Sequence, residues 1–348
     1  MDLKILGLEA SCDDTAASVI TADPKPRILS NVVHTQILEH QPYQGVVPEI
    51  AARSHLNYIK RVVNRALTDA NLSFYDIDAI AATSGPGLIG GVIVGCMYGK
   101  AIASVLRKPF IAVNHLEGHA LTAQLTDQVT FPYLLLLISG GHCQFISINH
   151  LGDYKIIGQT LDDAAGEAFD KIAKMMGLGF PGGQIIEKIA KNGNKMRFDF
   201  PKPICDKKNA DMSFSGLKTA VSLKIKELWP LTTKDKCDIA ASFQRTICDI
   251  LSIKIKYAIE EYEKLHNKLD DKKLVISGGV AANKEIRLKL ESIAKEENYK
   301  FIAPPINLCT DNAAMIGFAG LLRLNKGIMS DISFKPRARW SIEDLKIK

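Results

Sequence analysis

The chain has 348 residues, 47% of them hydrophobic and 24% charged, with a net charge of +6. That balance fits a soluble α/β protein of two domains or one bilobed unit. No run of 18 uninterrupted apolar residues offers a membrane span, and so mild a positive surplus permits an RNA partner without requiring one.

Seven scattered cysteines without a Cys-x-x-Cys pair suit reduced thiols in a cytoplasm. The N-terminus has the pattern of neither a signal peptide nor a transit peptide. Lys4 to Glu9 reads as a buried strand, and Ala16 to Thr21 as a strand returning from it. The turn between them carries the hydroxyls of Ser11 and Thr15 and the acids Asp13 and Asp14. Such a turn can face a phosphate or a metal; a plain hairpin with solvated acids has the same composition. A third strand, Arg27 to Thr35, precedes a helix that Pro48 opens and that runs to about Ala70. Ile77 to Thr83 is the next strand. Ser84-Gly85-Pro86-Gly87 turns it into the helix Leu88 to Leu106, whose glycines suggest close packing on a sheet.

Pro109 to Val113 is a short strand delivering Asn114-His115-Leu116-Glu117-Gly118-His119. As a helix start, this places His115 and His119 one turn apart on one face, with Asn114 as N-cap and Glu117 at the capping-box position. The positive helix end favours neutral rings, the form that binds a metal. Glu117 lies roughly 200° around the helix from His115, so it cannot act as the acid of a His-Glu-x-x-His metalloprotease. The pair is half a metal site, although an exposed helix face would show the same spacing.

The pattern then repeats. Tyr133 to Ile138, the tight turn Ser139-Gly140-Gly141-His142, Cys143 to Ile148 and Tyr154 to Gln159 copy the three-strand opening, so the second lobe reads as a duplicate of the first. Residues 162–265 are mostly helical, with a Pro/Lys-rich interruption over 198–209, and read as an insertion. Lys273 to Ile276 is a buried strand, followed by Gly278-Gly279 and a helix from Asn283 to about Ala294. Strand Phe301 to Ala303 leads to Thr310-Asp311-Asn312 and a last apolar helix to about Leu324. The expected division is a first lobe over 1–120, with helix 310–325 packing back on it, a second lobe over 121–309, and a tail over 326–348. The glycine pairs 140–141, 182–183 and 278–279 bare the backbone for a nucleotide. No P-loop or Gly-x-Gly-x-x-Gly helix start is present. Asp311 is the natural third ligand, which leaves positions open as at a catalytic Zn²⁺ or Fe²⁺; a plain N-cap is the alternative.

Taken in order, Gly-Leu-Glu-Ala-Ser-Cys-Asp-Asp-Thr, His-Leu-Glu-Gly-His, Leu-Ile-Ser-Gly-Gly-His, Phe-Pro-Gly-Gly, Phe-Ser-Gly-Leu-Lys-Thr, Gly-Gly-Val-Ala-Ala-Asn and Cys-Thr-Asp-Asn-Ala-Ala-Met-Ile resemble one family. The chain resembles the tRNA N6-adenosine threonylcarbamoyltransferases from residue 4 to about 340. The resemblance implies the actin/sugar-kinase/heat-shock-protein fold: two duplicated actin-like (ribonuclease H-like) α/β lobes with a nucleotide and metal cleft between them, the second carrying the helical insertion. It implies one iron or zinc on His115, His119 and Asp311. It implies substrate contacts from Leu137, Ile138, Ser139, Gly140, Gly141, Asp170, Gly183, Glu187 and Asn283. Ala10, Cys143, Gln184 and Glu187 depart from the usual pattern, and only Glu187 touches an implied contact.

The implied reaction moves a threonylcarbamoyl group from threonylcarbamoyl-AMP to N6 of the adenosine just 3′ of the anticodon. Asp13, with Glu9 or Asp14 in support, is the expected base for the amine. Lys335, Arg337, Arg339 and the insertion are expected to meet the anticodon loop. The resemblance also implies a paralogous actin-like partner subunit and a P-loop ATPase. A metallopeptidase lacks its acid here, and a non-catalytic nucleotide-binding subunit has no need of an open metal site.

Overall fold

Two runs of three consecutive strands, one opening on Lys4–Glu9 with an apolar centre and the other on the apolar Tyr133–Ile138, seed two five-stranded sheets in this computed structural model, which describes residues 3–266 and 269–347. The strands are β1 (Lys4–Glu9), β2 (Asp14–Thr21), β3 (Arg27–Thr35), β4 (Ala79–Gly85), β5 (Phe110–Asn114), β6 (Tyr133–Ile138), β7 (Cys143–His150), β8 (Asp153–Gln159), β9 (Lys273–Ser277) and β10 (Lys300–Ile302). The helices are α1 (Ile37–His40), α2 (Pro48–Asp69), α3 (Ile89–Leu106), α4 (His115–Asp127), α5 (Ala165–Met175), α6 (Gly182–Ala190), α7 (Ser215–Glu227), α8 (Thr233–Leu265), α9 (Lys284–Glu296), α10 (Ile306–Cys309) and α11 (Ala313–Asn325).

The sheets run β3-β2-β1-β4-β5 and β8-β7-β6-β9-β10, so the second repeats the first strand for strand. β1 is antiparallel to β2 and parallel to β4, and β6 is antiparallel to β7 and parallel to β9. Central strands buried on both faces read as continuous apolar runs, which is why β1 and β6 stand out in the sequence. The chain divides into one unit of Met1–Thr130, Leu151–Asp153 and Asp311–Lys348 and another of Phe131–His150 and Tyr154–Thr310.

In the first unit, α11 lies directly on β1. A Cβ on Gly7 would stand 2.4 Å from the Ala313 carbonyl oxygen, and one on Gly317 would stand 2.8 Å from Ile20 Cγ1. Helix backbone and strand backbone meet there because neither residue has a side chain. This contact brings the start of α11 to the C-terminal end of β1. α4 and α11 are tied further along by a buried bidentate pair. Arg323 Nε and Nη2 donate to Glu117 Oε2 and Oε1 at 2.6 and 2.9 Å. The Glu117 carboxylate thus engages Arg323, where the sequence suggested a capping box. Glu117→Ala leaves a buried guanidinium without that carboxylate, so chemical denaturation is expected to show a loss of about 3–5 kcal/mol.

α3 is long and apolar enough to cross a membrane by length and composition. Its Gly91 face instead packs on the sheet side, with a built Cβ only 2.3 Å from the Ala10 carbonyl. Residues 326–348, expected as a tail, belong to the first unit. Trp340 is buried and its carbonyl accepts from Asn114 Nδ2, while Arg337 N–H donates to the Ser84 carbonyl.

In the second unit, α5 to α8 form the insertion, with β6 and β7 against their apolar faces. A Thr232–Asp235 capping box starts α8. Its buried Lys254 donates to the carbonyls of Ile204, Lys207 and Asn209 at 2.7, 3.0 and 3.1 Å, which fixes the Pro/Lys-rich segment against the helix. Burial holds the Lys254 ammonium below its usual pKa.

Candidate metal centre

α4 begins where β5 ends, and Asn114 is its N-cap: Oδ1 accepts from the N–H groups of Leu116 and Glu117 at 2.9 and 3.4 Å. One turn of helix sets the His115 and His119 rings edge to face, with centroids 4.8 Å apart. Both rings are buried. At α11 the cap is Asn312, which accepts from Met315 N–H at 3.0 Å. The capping alternative for Asp311 therefore falls away. Its Oδ1 lies 3.1 Å from His119 Nε2 and 3.6 Å from His115 Nε2. The three ligand atoms all fall within 4.8 Å of one another.

Behind the pair, His115 Nδ1 is 3.0 Å from Glu9 Oε2 and 3.1 Å from Ser11 Oγ. A proton on Nδ1 donated to Glu9 leaves Nε2 as an acceptor facing Asp311, the orientation that carboxylates impose on metal-binding histidines. Glu9 Oε2 also accepts from Thr83 Oγ1 at 2.6 Å, and Oε1 accepts from Ser11 N–H at 2.6 Å. Glu9 had been grouped with the acids at the reacting amine. Its two oxygens are instead committed beneath His115 at 1% exposure.

Burial disfavours a charged His115, but Asp311 and Glu9 outweigh it and lift the ring to about 9. In the metal-free site two carboxylates outweigh the partial helix charge and favour a second ring proton, which a cation at Nε2 would displace to leave the neutral ring. Burial would likewise raise Glu9, yet His115 and Thr83 hold it below the usual carboxylate range. Asp14 is pushed up to about 8 by burial, then by the charges of Asp13 and Asp311. Asp13 also lies high, from burial and from Asp311. The field here favours positive charge, and a cation answering it would take the place of the proton on His115 Nε2. Two imidazole Nε2 atoms and one carboxylate oxygen facing each other in that field suit a divalent cation with open positions, so the donor set fits a catalytic metal. His119 turns its Nε2 to Asp311, while its buried Nδ1 has no hydrogen-bond partner among the described residues.

His55 escaped the sequence reading. On α2, its Nδ1 meets Thr15 Oγ1 at 2.8 Å and its Nε2 meets the Cys12 carbonyl at 3.1 Å, so it braces the acidic turn from behind. The available sign was its place between Ala51 and Ile59 at four-residue spacing on a buried face.

The second unit gathers the glycine turns. Gly278, at φ +98°, would put a Cβ 2.3 Å from the Ile138 carbonyl oxygen, so its turn lies directly against β6. Gly140, Gly141 and Gly183 face open space: nothing lies within 4 Å of a built Cβ. Leu137 and Ile138 are fully buried and paired in the sheet. Ser139 N–H donates to the His142 carbonyl at 2.7 Å, and its Oγ accepts from His142 N–H at 3.1 Å, closing the turn. Asp170 Oδ1 accepts from Gly182 N–H at 2.7 Å. Glu187 Oε1 accepts from Lys284 N–H at 3.1 Å. Asn283 caps α9 through Glu285 and Ile286 and donates to Gln244 Oε1 at 2.7 Å. Asp170 thus fixes the Gly182–Gly183 turn, and Glu187 and Asn283 fix the start of α9 that follows Gly278–Gly279.

Residues 27–318 match the family model described as tRNA N6-adenosine threonylcarbamoyltransferase. A protein of that name from Rickettsia rickettsii (strain Sheila Smith) is 57% identical over 343 residues, covering 99% of each chain. Its namesake from Rickettsia bellii (strain OSU 85-389) is 58% identical over 342 residues, covering 98% of this chain and 99% of that one. Among solved structures, T. kodakarensis HypF matches with a TM-score of 0.61 at 14% identity, over 95% of this chain and 48% of that chain. Component A of the Acidaminococcus fermentans (R)-2-hydroxyglutaryl-CoA dehydratase matches with a TM-score of 0.51 at 15% identity, over 90% and 96%. At such identities the solved structures speak for the duplicated α/β fold.

Proposed function

The chain belongs to the tRNA N6-adenosine threonylcarbamoyltransferase family, and from that premise we propose how its own residues carry the threonylcarbamoyl group to tRNA. The enzyme modifies the adenosine 3′-adjacent to the anticodon in tRNAs that read ANN codons. The observation that carries the mechanism is the convergence of the buried His115 and His119 with the partly exposed Asp311, their ligand atoms within 4.8 Å of one another.

In the reaction, N6 of the adenosine forms a bond to the carbamoyl carbon of threonylcarbamoyl-AMP. The bond from that carbon to the phosphate oxygen breaks, AMP leaves, and N6 loses a proton. A divalent cation on the three ligands, iron or zinc, would supply positive charge to polarise the carbonyl or offset the phosphate. Glu9 fixes the His115 ring so that Nε2 is offered to it. Asp13 takes the amine proton. Burial and neighbouring carboxylates raise it above an ordinary aspartate, which makes it a better base near neutral pH. Asp14, pushed up to about 8 in the metal-free site by burial and by the charges of Asp13 and Asp311, stands beside it in support. The open backbone at Gly140, Gly141 and Gly183, with Leu137, Ile138 and Ser139 behind it, receives the adenylate. Asp170, which fixes the Gly182–Gly183 turn, and Glu187 and Asn283, which fix the start of α9, complete the proposed substrate contacts.

Gly141→Val places a branched side chain in the open space before the turn. Calorimetry with an AMP-bearing ligand is expected to show about tenfold weaker binding while metal content stays the same. An unchanged affinity would move the adenylate elsewhere. The whole reading is tested with purified protein, metal, threonylcarbamoyl-AMP and tRNA, against a peptide substrate in parallel. Modified tRNA with an intact peptide supports it; a cleaved peptide with unmodified tRNA reverses it. Lys335 and Arg339, both exposed, and Arg337, stacked 5.1 and 5.2 Å from the Phe334 and Trp340 rings, offer cations to the tRNA backbone. The paralogous actin-like subunit and the P-loop ATPase belong to this proposal as partners. A cytoplasmic setting belongs to it too, and the seven free cysteines accord with that setting.

A further inference from the structure

Charge is unevenly placed along the chain. Residues 188–236 hold twelve Lys and Arg against five Asp and Glu, while the rest of the chain holds 32 against 33. The entire positive surplus therefore sits between the end of α6 and the first turn of α8. Lys188, Lys191, Lys195, Lys207 and Lys208 are all exposed there.

Within this segment, Trp229 stands just past the C-terminal end of α7 with 65% of its surface exposed. Together with Met175, Ser222, Ile225 and Lys226 it lines an open depression of about 420 Å³. The buried Ile225 gives the depression an apolar floor, the indole a flat wall, and the exposed Lys226 a cationic rim. A tryptophan exposed to this degree beside a lysine, on a strongly basic stretch of the chain, is what an unstacked base and its phosphate require. The bases of a paired A-form helix are stacked on one another and offer no free face to such a wall.

We propose that this depression binds one unpaired base of the tRNA, which stacks on Trp229 while Lys226 meets the adjoining phosphate. The proposal rests on tRNA being the substrate. It adds a contact remote from the reacting atoms that helps hold the tRNA.

The chain has two tryptophans, and the second, Trp340, is buried at 9% exposure. The difference in emission between the full-length protein and its Trp229→Phe variant therefore reports Trp229. Titration with an unmodified tRNA transcript is expected to quench that difference signal saturably, and a loop-free RNA duplex is expected to leave it unchanged. Trp229→Ala is expected to raise the tRNA Kd about tenfold. Lys226→Glu, which leaves the indole in place, is expected to weaken binding and flatten its salt dependence. Emission unchanged at tRNA saturation, or wild-type affinity in Trp229→Ala, overturns the proposal, and does so equally if a protein partner occupies the depression. Modification of the transcript by the wild-type protein is measured alongside. Failure there strikes the assigned reaction, whereas the quenching result bears on the base site alone.

Discussion

His119→Ala is expected to leave the purified protein without stoichiometric metal and to lower transfer to tRNA by more than about a hundredfold. The ring contributes Nε2 from a fully buried position, 3.1 Å from Asp311 Oδ1, and an alanine leaves two ligands where a catalytic site commonly has three. The loss should be one of metal and rate together, with the fold retained. α4 is still capped by Asn114 and still tied to α11 through Glu117 and Arg323. Metal analysis, single-turnover transfer and thermal unfolding on one preparation separate these outcomes. Stoichiometric metal in a His115→Ala, His119→Ala double variant would remove these residues from the ligand set.

Asp13→Asn is expected to slow transfer by about 10²–10⁴-fold while metal content and adenylate affinity remain near wild type. Asparagine keeps the size of the side chain but cannot accept the proton that N6 gives up. The sign of the pH effect follows from the carboxyl's raised pKa. The base works only when ionised, so the wild-type rate should climb as pH rises through that pKa, and this limb should vanish in the variant. If Asp13→Asn loses metal or nucleotide with the fold intact, Asp13 is a binding residue and the base lies elsewhere. An untouched rate makes it an ordinary solvated turn acid.

Much of this was legible before any coordinates, for reasons that differ from residue to residue. β6, and β1 over Ile5 to Leu8, announce themselves because a strand covered on both faces reads as a continuous apolar run. The His pair is legible because helical spacing alone puts residues four apart on one face. The role of Glu117 was not. Its partner Arg323 is 206 positions away, and no local pattern links a capping-box acid to an arginine that distant. Glu9 shows the same limit. Read locally it belongs with the acids of its turn, and only the tertiary contact with His115 gives it a different task. Ordinary carboxylate values also understate Asp14, whose pKa is raised by burial and by the charges of Asp13 and the distant Asp311. Local periodicity fixes elements; the protonation states come from what the fold brings together.

The contact of Gly7 with the start of α11 sets the order in which this protein can mature. The two imidazoles are synthesised by residue 119, but Asp311 follows almost two hundred residues later, at the head of the helix that lies on β1. On a ribosome, the early segment can fold its strands and expose two histidines while their carboxylate partner does not yet exist. A nascent or truncated polypeptide ending before residue 311 is thus poorly equipped to capture an ion. At the proposed site, metal uptake would be a late event, coupled to the arrival of α11, and an ion retained through purification would mark a chain whose distant segments have already met.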